Sequence, residues 1–142
     1  MRATLTHLAL GVRDLDRTIE FYRKHVGLHV VHERTDTGMR VAWLADREED
    51  ADFVLVLLGS TNEPTSGPGT LRHLGFAVGS RDEVDEAARV ARAEGILVLE
   101  PTYAGPIVGY FCLIEDPDGN HVEFSYGQPI NPHHLRMDSR GS

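Results

Sequence analysis

Two histidines sit at matching places in a sequence that repeats itself, and one glutamate closes the second copy. Residues 5–12 read Leu-Thr-His-Leu-Ala-Leu-Gly-Val and residues 71–78 read Leu-Arg-His-Leu-Gly-Phe-Ala-Val. His7 and His73 are therefore 66 residues apart, each third in a short apolar run. The second copy ends in Asp116-Pro117-Asp118-Gly119-Asn120-His121-Val122-Glu123-Phe124, a turn and then a strand carrying a carboxylate. Either histidine alone reads as an ordinary strand residue; their equivalence is what singles them out. Two imidazoles and one carboxylate suit a divalent cation, Fe2+ or Mn2+ before Ni2+ or Zn2+. Three protein donors leave positions open for a substrate, which favours chemistry at the metal over a structural ion. His7, His73 and Glu123 are the expected ligands.

The elements that must hold these residues follow from periodicity. In 4–12, Leu8, Leu10 and Val12 alternate with His7, Ala9 and Gly11, so bulky side chains face one way and the histidine faces the other among small residues. Leu74, Phe76 and Val78 oppose His73, Gly75 and Ala77 in the same manner. A cavity on the histidine side of both strands is implied. Asp14 should cap a helix over 15–26 with the stripe Leu15, Ile19, Tyr22 and Val26, stopped by Gly27. Ser80 and Glu83 form a capping box ahead of Val84, Ala87, Ala88 and Ala91, stopped by Gly95. Further strands are expected at 28–34, 39–45 and 53–58, and again at 96–99, 110–115 and 121–126, with Asp118-Gly119 as the last hairpin turn. Each module thus reads β-α-β-β-β, an α+β arrangement. The expected organisation is a first module at 1–59, a linker at 60–70, a second module at 71–127 and a poorly ordered polar tail at 128–142.

Alternation sets His121, Glu123 and Ser125 on one face of the last strand, where a buried carboxylate is costly unless paired or metal-bound. Aligning Gly59 with Gly127 sets Leu55 opposite Glu123, so the first module offers no matching carboxylate. His121 shares the face of Glu123 and is a candidate for proton transfer or substrate contact. Tyr103, expected in a loop bounded by Pro101 and Pro106, is a candidate substrate contact. Trp43 reads equally as pocket lining or core. His25, His29 and His32 read as unremarkable, and His133 and His134 as solvated.

Composition excludes several classes of function. The net charge of −8 and the lack of a Lys/Arg cluster argue against nucleic acid. No apolar run approaches the ~20 residues of a membrane span, and residues 1–12 lack a signal-peptide pattern. Cys112 is the one cysteine, so no internal disulfide forms and a reducing, cytoplasmic setting is expected. The acidic stretch 46–52 reads as a solvated turn.

The paired modules, the His7 and His73 strands and the Glu-Asp-Pro-Asp-Gly-Asn-His-Val-Glu run at 115–123 resemble the vicinal oxygen chelate superfamily of glyoxalases, bleomycin-resistance proteins and extradiol dioxygenases. The resemblance covers residues 4–127. It implies a curved mixed sheet around a cleft, a divalent metal on His7, His73 and Glu123, and a homodimer with sites shared between chains. It also implies a small-molecule substrate held through adjacent oxygens. Glyoxalase I members add a second glutamate, where this chain has Leu55 or Val56. Extradiol members commonly carry a tyrosine where this chain has Leu113. Three ligands leave room for a catechol-like substrate and O2, which leans the expectation towards an extradiol-type dioxygenase. A glyoxalase-type lyase, isomerase or epimerase is the alternative. A metal-free, ligand-sequestering protein is a third reading.

Overall fold

A computed structural model of the protein describes residues 1–2, 4–60 and 73–129. Residues 61–70 of the expected linker, and the tail from 130 with His133 and His134, lie outside them. The chain divides into two compact units, Met1–Thr70 and Leu71–Ser142. The first contains β1 (His7–Val12), α1 (Leu15–Phe21) continued by a π-helical turn (Tyr22–Val26), β2 (His29–Asp36), β3 (Met39–Ala45) and β4 (Val54–Ser60). The second contains β5 (His73–Ala77), α2 (Arg81–Glu94), β6 (Leu97–Tyr103), β7 (Tyr110–Glu115) and β8 (His121–Tyr126).

Both units use one topology, β1-β4-β3-β2 and β5-β8-β7-β6. The first strand of each pairs in parallel with the last, and the other pairings are antiparallel. A parallel pair needs a long crossover, which the helix and the two intervening strands supply. Each helix covers one face of its own sheet. In the first unit Leu15, Thr18, Phe21 and Tyr22 of the helical segment are buried, with Leu10, Val12, Leu44, Leu55 and Leu57 in the same core. In the second, Val84, Ala88 and Ala91 are buried and the Cys112 thiol donates to the Val84 carbonyl.

The helix boundaries follow the sequence signals. Asp14 Oδ1 accepts from Arg17 N at 3.1 Å, and Ser80 Oγ accepts from Glu83 N at 3.2 Å. Glu83 reaches back to Gly79 N at 2.6 Å, one residue earlier than in a standard capping box. Gly27 and Gly95 end the helices at φ +82° and +75°, a region open to glycine without steric cost.

Three expectations need correction. The strand expected at 4–12 forms only over His7–Val12. Ile19 and Val26 are half-buried, because the covered face runs through Leu15, Thr18 and Tyr22 and the wider π-helical turn displaces Val26. β6 runs on to Tyr103 through Pro101, since it is a sheet edge with two register irregularities, where a residue lacking an N–H is tolerated. The β7–β8 hairpin turns through Asp118-Gly119 as expected. Gly119 N donates to Asp116 O at 3.0 Å and Gly119 takes φ +86°, a three-residue loop of type I turn plus bulge. The buried Asp116 carboxylate fixes that loop by accepting from Asp118 N, Asn120 N and Asn120 Nδ2 at 2.9, 2.8 and 3.0 Å. Among the described residues no helix is long and apolar enough to cross a membrane.

Candidate functional site

In the second unit β5 and β8 run in parallel with His73 opposite His121, Gly75 opposite Glu123 and Ala77 opposite Ser125. Paired residues point to the same side of a sheet, so these six share one face. It is the face turned away from α2, because Cys112, the neighbour of Leu113 on β7, points at the helix and Leu113 pairs with Glu123. Glu123 is only 7% exposed. Its Oε2 lies 3.9 Å from Nε2 of His73, whose side chain is 50% exposed.

Gly75 relieves the crowding in this geometry. A Cβ built on it would lie 3.3 Å from Glu123 Oε2, so the absent side chain is the space into which the carboxylate leans. A separation of 3.9 Å is too long for a hydrogen bond. It is short enough for one cation with ligand bonds of about 2.0–2.2 Å to touch both atoms. A carboxylate held in a glycine-made recess and facing an imidazole fits a divalent metal.

His121 stands beside His73 across the β5–β8 ladder and two residues before Glu123, half-buried on the same face. Asp116, in the turn that starts β8, fixes where His121 begins. The second unit therefore brings His73, His121 and Glu123 to one face.

His7 lies on β1 of the first unit, exposed, with its Nδ1 3.0 Å from Thr6 Oγ1. That contact engages Nδ1 and makes Nε2 the nitrogen suited to a metal. His7 lines a cavity of about 460 Å³ with Ala9, Trp43, Val56, Asp52 and Arg34. Trp43, equally pocket or core in the sequence, is thus a pocket residue and half-buried. Among the described residues no group of three or more His, Cys, Asp and Glu is close enough to hold a metal ion.

The register corrects the alignment of the two modules. His7 pairs with Val54 and Ala9 with Val56, as His73 pairs with His121 and Gly75 with Glu123. The counterpart of Glu123 is therefore Val56, not Leu55. Leu55 faces the helix and is 5% exposed, in the core. Matching Gly59 to Gly127 slips the strands by one residue, and a one-residue slip exchanges the faces. Gly59 is instead the counterpart of Tyr126, since Arg40 pairs with the one and Tyr110 with the other.

Tyr103 is not brought to Glu123. It ends β6 opposite Tyr110, and the Arg81 guanidinium of α2 lies 5.2 Å and 4.8 Å from the two ring centroids. Both rings therefore stand on the helix side of the sheet. The Tyr110 hydroxyl donates to Asp85, and that bond raises the Tyr110 pKa above its ordinary value. Sequence reading took His32 as unremarkable and passed over Arg34. The His32 ring packs 4.8 Å from Trp43, and the Arg34 guanidinium lies 5.6 Å from the Trp43 ring. Alternation from Trp43 could have found them only with the β2–β3 register known, and that register shifts between Val30 and His32.

Comparison with known proteins agrees with this architecture. The Glyoxalase/Bleomycin resistance protein/Dioxygenase superfamily matches over residues 4–124. An uncharacterized protein of Pseudomonas aeruginosa is 43% identical over 132 residues, 93% of this chain and 94% of that one. A lactoylglutathione lyase of Haemophilus influenzae is 29% identical over 127 residues, 84% of this chain and 90% of that one. The structure of a possible glyoxalase from Bacillus cereus superposes with a TM-score of 0.68 at 26% identity, over 87% of this chain and 99% of that one.

Proposed function

Because the chain belongs to the Glyoxalase/Bleomycin resistance protein/Dioxygenase superfamily, we propose that it is a divalent-metal-dependent lyase or isomerase of glyoxalase type. Its substrate is a small molecule bearing adjacent oxygens. The observation that carries this reading is the buried Glu123 carboxylate leaning over Gly75 towards His73. The extradiol lean drawn from the sequence gives way here, because relatives with a named activity are lactoylglutathione lyases.

His73 and Glu123, with His7 as the third ligand, would hold Fe2+, Mn2+, Ni2+ or Zn2+. When bound, the metal polarises the substrate oxygens and makes the proton on the adjoining carbon more acidic. Glu123 and His121 share one face, and one of them takes that proton and returns it to the neighbouring carbon. The substrate is thereby isomerised with no atom gained or lost. Val56 brings no second carboxylate, so the base comes from this face of the second unit. Tyr103, on the helix side of its sheet, has no part in this scheme. A homodimer with sites shared between chains is part of the proposal.

The test is hemithioacetal isomerisation by protein reconstituted separately with each of the four metals, beside O2 uptake with catechol under Fe2+. Isomerisation without O2 uptake supports the lyase reading. Uptake of O2 without isomerisation would reverse it.

A further inference from the structure

The cavity beside His7 has walls of two kinds. Ala9, Trp43, Phe53, Val54 and Val56 are apolar, while Arg34 supplies its one permanent cation. The guanidinium is held in place: Nε donates to the Asp36 carboxylate at 3.0 and 3.2 Å, and Nη1 lies 3.1 Å from His32 Nε2. His32, Arg34 and Asp36 alternate along β2 on the same side as Trp43, with which His32 pairs. Asp52, the other charged group of the lining, is exposed and lies within the field of Arg47.

We propose that Arg34 is the specificity residue of this cavity, and that the ligand it selects is a small organic acid with an apolar body. Three observations support the assignment. About 460 Å³ suits a small molecule. The apolar walls match a hydrocarbon body. A planar fork of N–H donors fixed against Trp43 matches a carboxylate, to which arginine binds through two parallel hydrogen bonds. Asp36 is no obstacle, since it engages Nε alone and leaves the edge formed by the two Nη groups to a ligand. The inference rests on the proposed function in one respect only, that the His7 face is the substrate side.

Trp43 is the one tryptophan in the chain and lines the cavity, so its fluorescence reports occupancy. The experiment titrates the full-length protein with benzoate and with its neutral analogue benzamide. Wild type should bind benzoate about tenfold more tightly. Arg34→Gln should reduce that ratio to near one while leaving benzamide affinity unchanged, and Arg34→Lys should restore part of it. Glu123→Gln should keep the full preference while failing to bind metal, which separates this inference from the metal reading. Equal affinities in wild type, no response to either ligand, or a preference that survives Arg34→Gln would overturn it.

Discussion

On the face turned away from its helix, each sheet offers the same positions to different chemistry. The first unit sets Val54 and Val56 beside His7 and Ala9; the second sets His121 and Glu123 beside His73 and Gly75. The two differences at the Glu123 position are coupled. The carboxylate on the last strand leans to within 3.3 Å of where a neighbouring Cβ would stand, and Gly75 has none. Val56 has no carboxylate to accommodate, and Ala9 keeps its Cβ. The helix faces differ in the opposite sense. Gly59 lets α1 come down on β4, with a built Cβ only 2.9 Å from Leu15 Cβ, whereas its counterpart Tyr126 is exposed. One topology thus yields an apolar pocket wall in one unit and a donor set in the other.

The largest expected effect comes from giving the first unit the chemistry of the second. Val56→Glu sets a carboxylate on the apolar cavity wall at a position only 8% exposed, beside the Cβ of Ala9. It should lower stability by about 3 kcal/mol in chelator, as an unpaired buried charge does. Denaturant melts should recover part of that loss once metal is added. The helix-face contrast comes next: Gly59→Ala should cost about 1–3 kcal/mol by crowding Leu15, measured by urea unfolding. Closing the recess is smaller in energy but directed at function. Gly75→Ala should weaken metal binding about tenfold by calorimetry with little change in stability, while Ala9→Gly should leave metal binding nearly unchanged.

A further contrast, seen only at alkaline pH, concerns Cys112, whose counterpart is Ala42. Burial pushes its thiol up to about 11 from 9.0. The neutral thiol is the form that the fold stabilises, so its contribution is intact below pH 9.0 and lost as pH rises towards 11. A loss on the order of 2 kcal/mol follows from the linkage. Cys112→Ala should lack that alkaline loss.

The repeat, both helices and the alternation of the histidine strands were legible because capping residues and period-two patterns are local. Ser80, Glu83, Gly27 and Gly95 announce their roles within four residues of where they act. Register was not legible, because it belongs to pairs of strands. Glycine matching put Leu55 where the ladder puts Val56, and the bulge near Val31 concealed His32 and Arg34 behind Trp43. Tyr103 was misread as a loop residue because Pro101 stops most strands but not an edge strand. The equivalence of His7 and His73 pointed to the candidate ligands, but the recess at Gly75 emerged only from the register of β5 with β8.

We propose that Glu123, leaning over Gly75 towards His73, holds a catalytic metal together with His7. Metal content of anaerobically purified wild type, His7→Ala, His73→Ala and Glu123→Gln, each checked for folding by circular dichroism, tests it most directly. The prediction is about one divalent ion per chain in wild type and almost none in the three folded variants. Equal metal in all four proteins, or none in wild type after reconstitution, would contradict it.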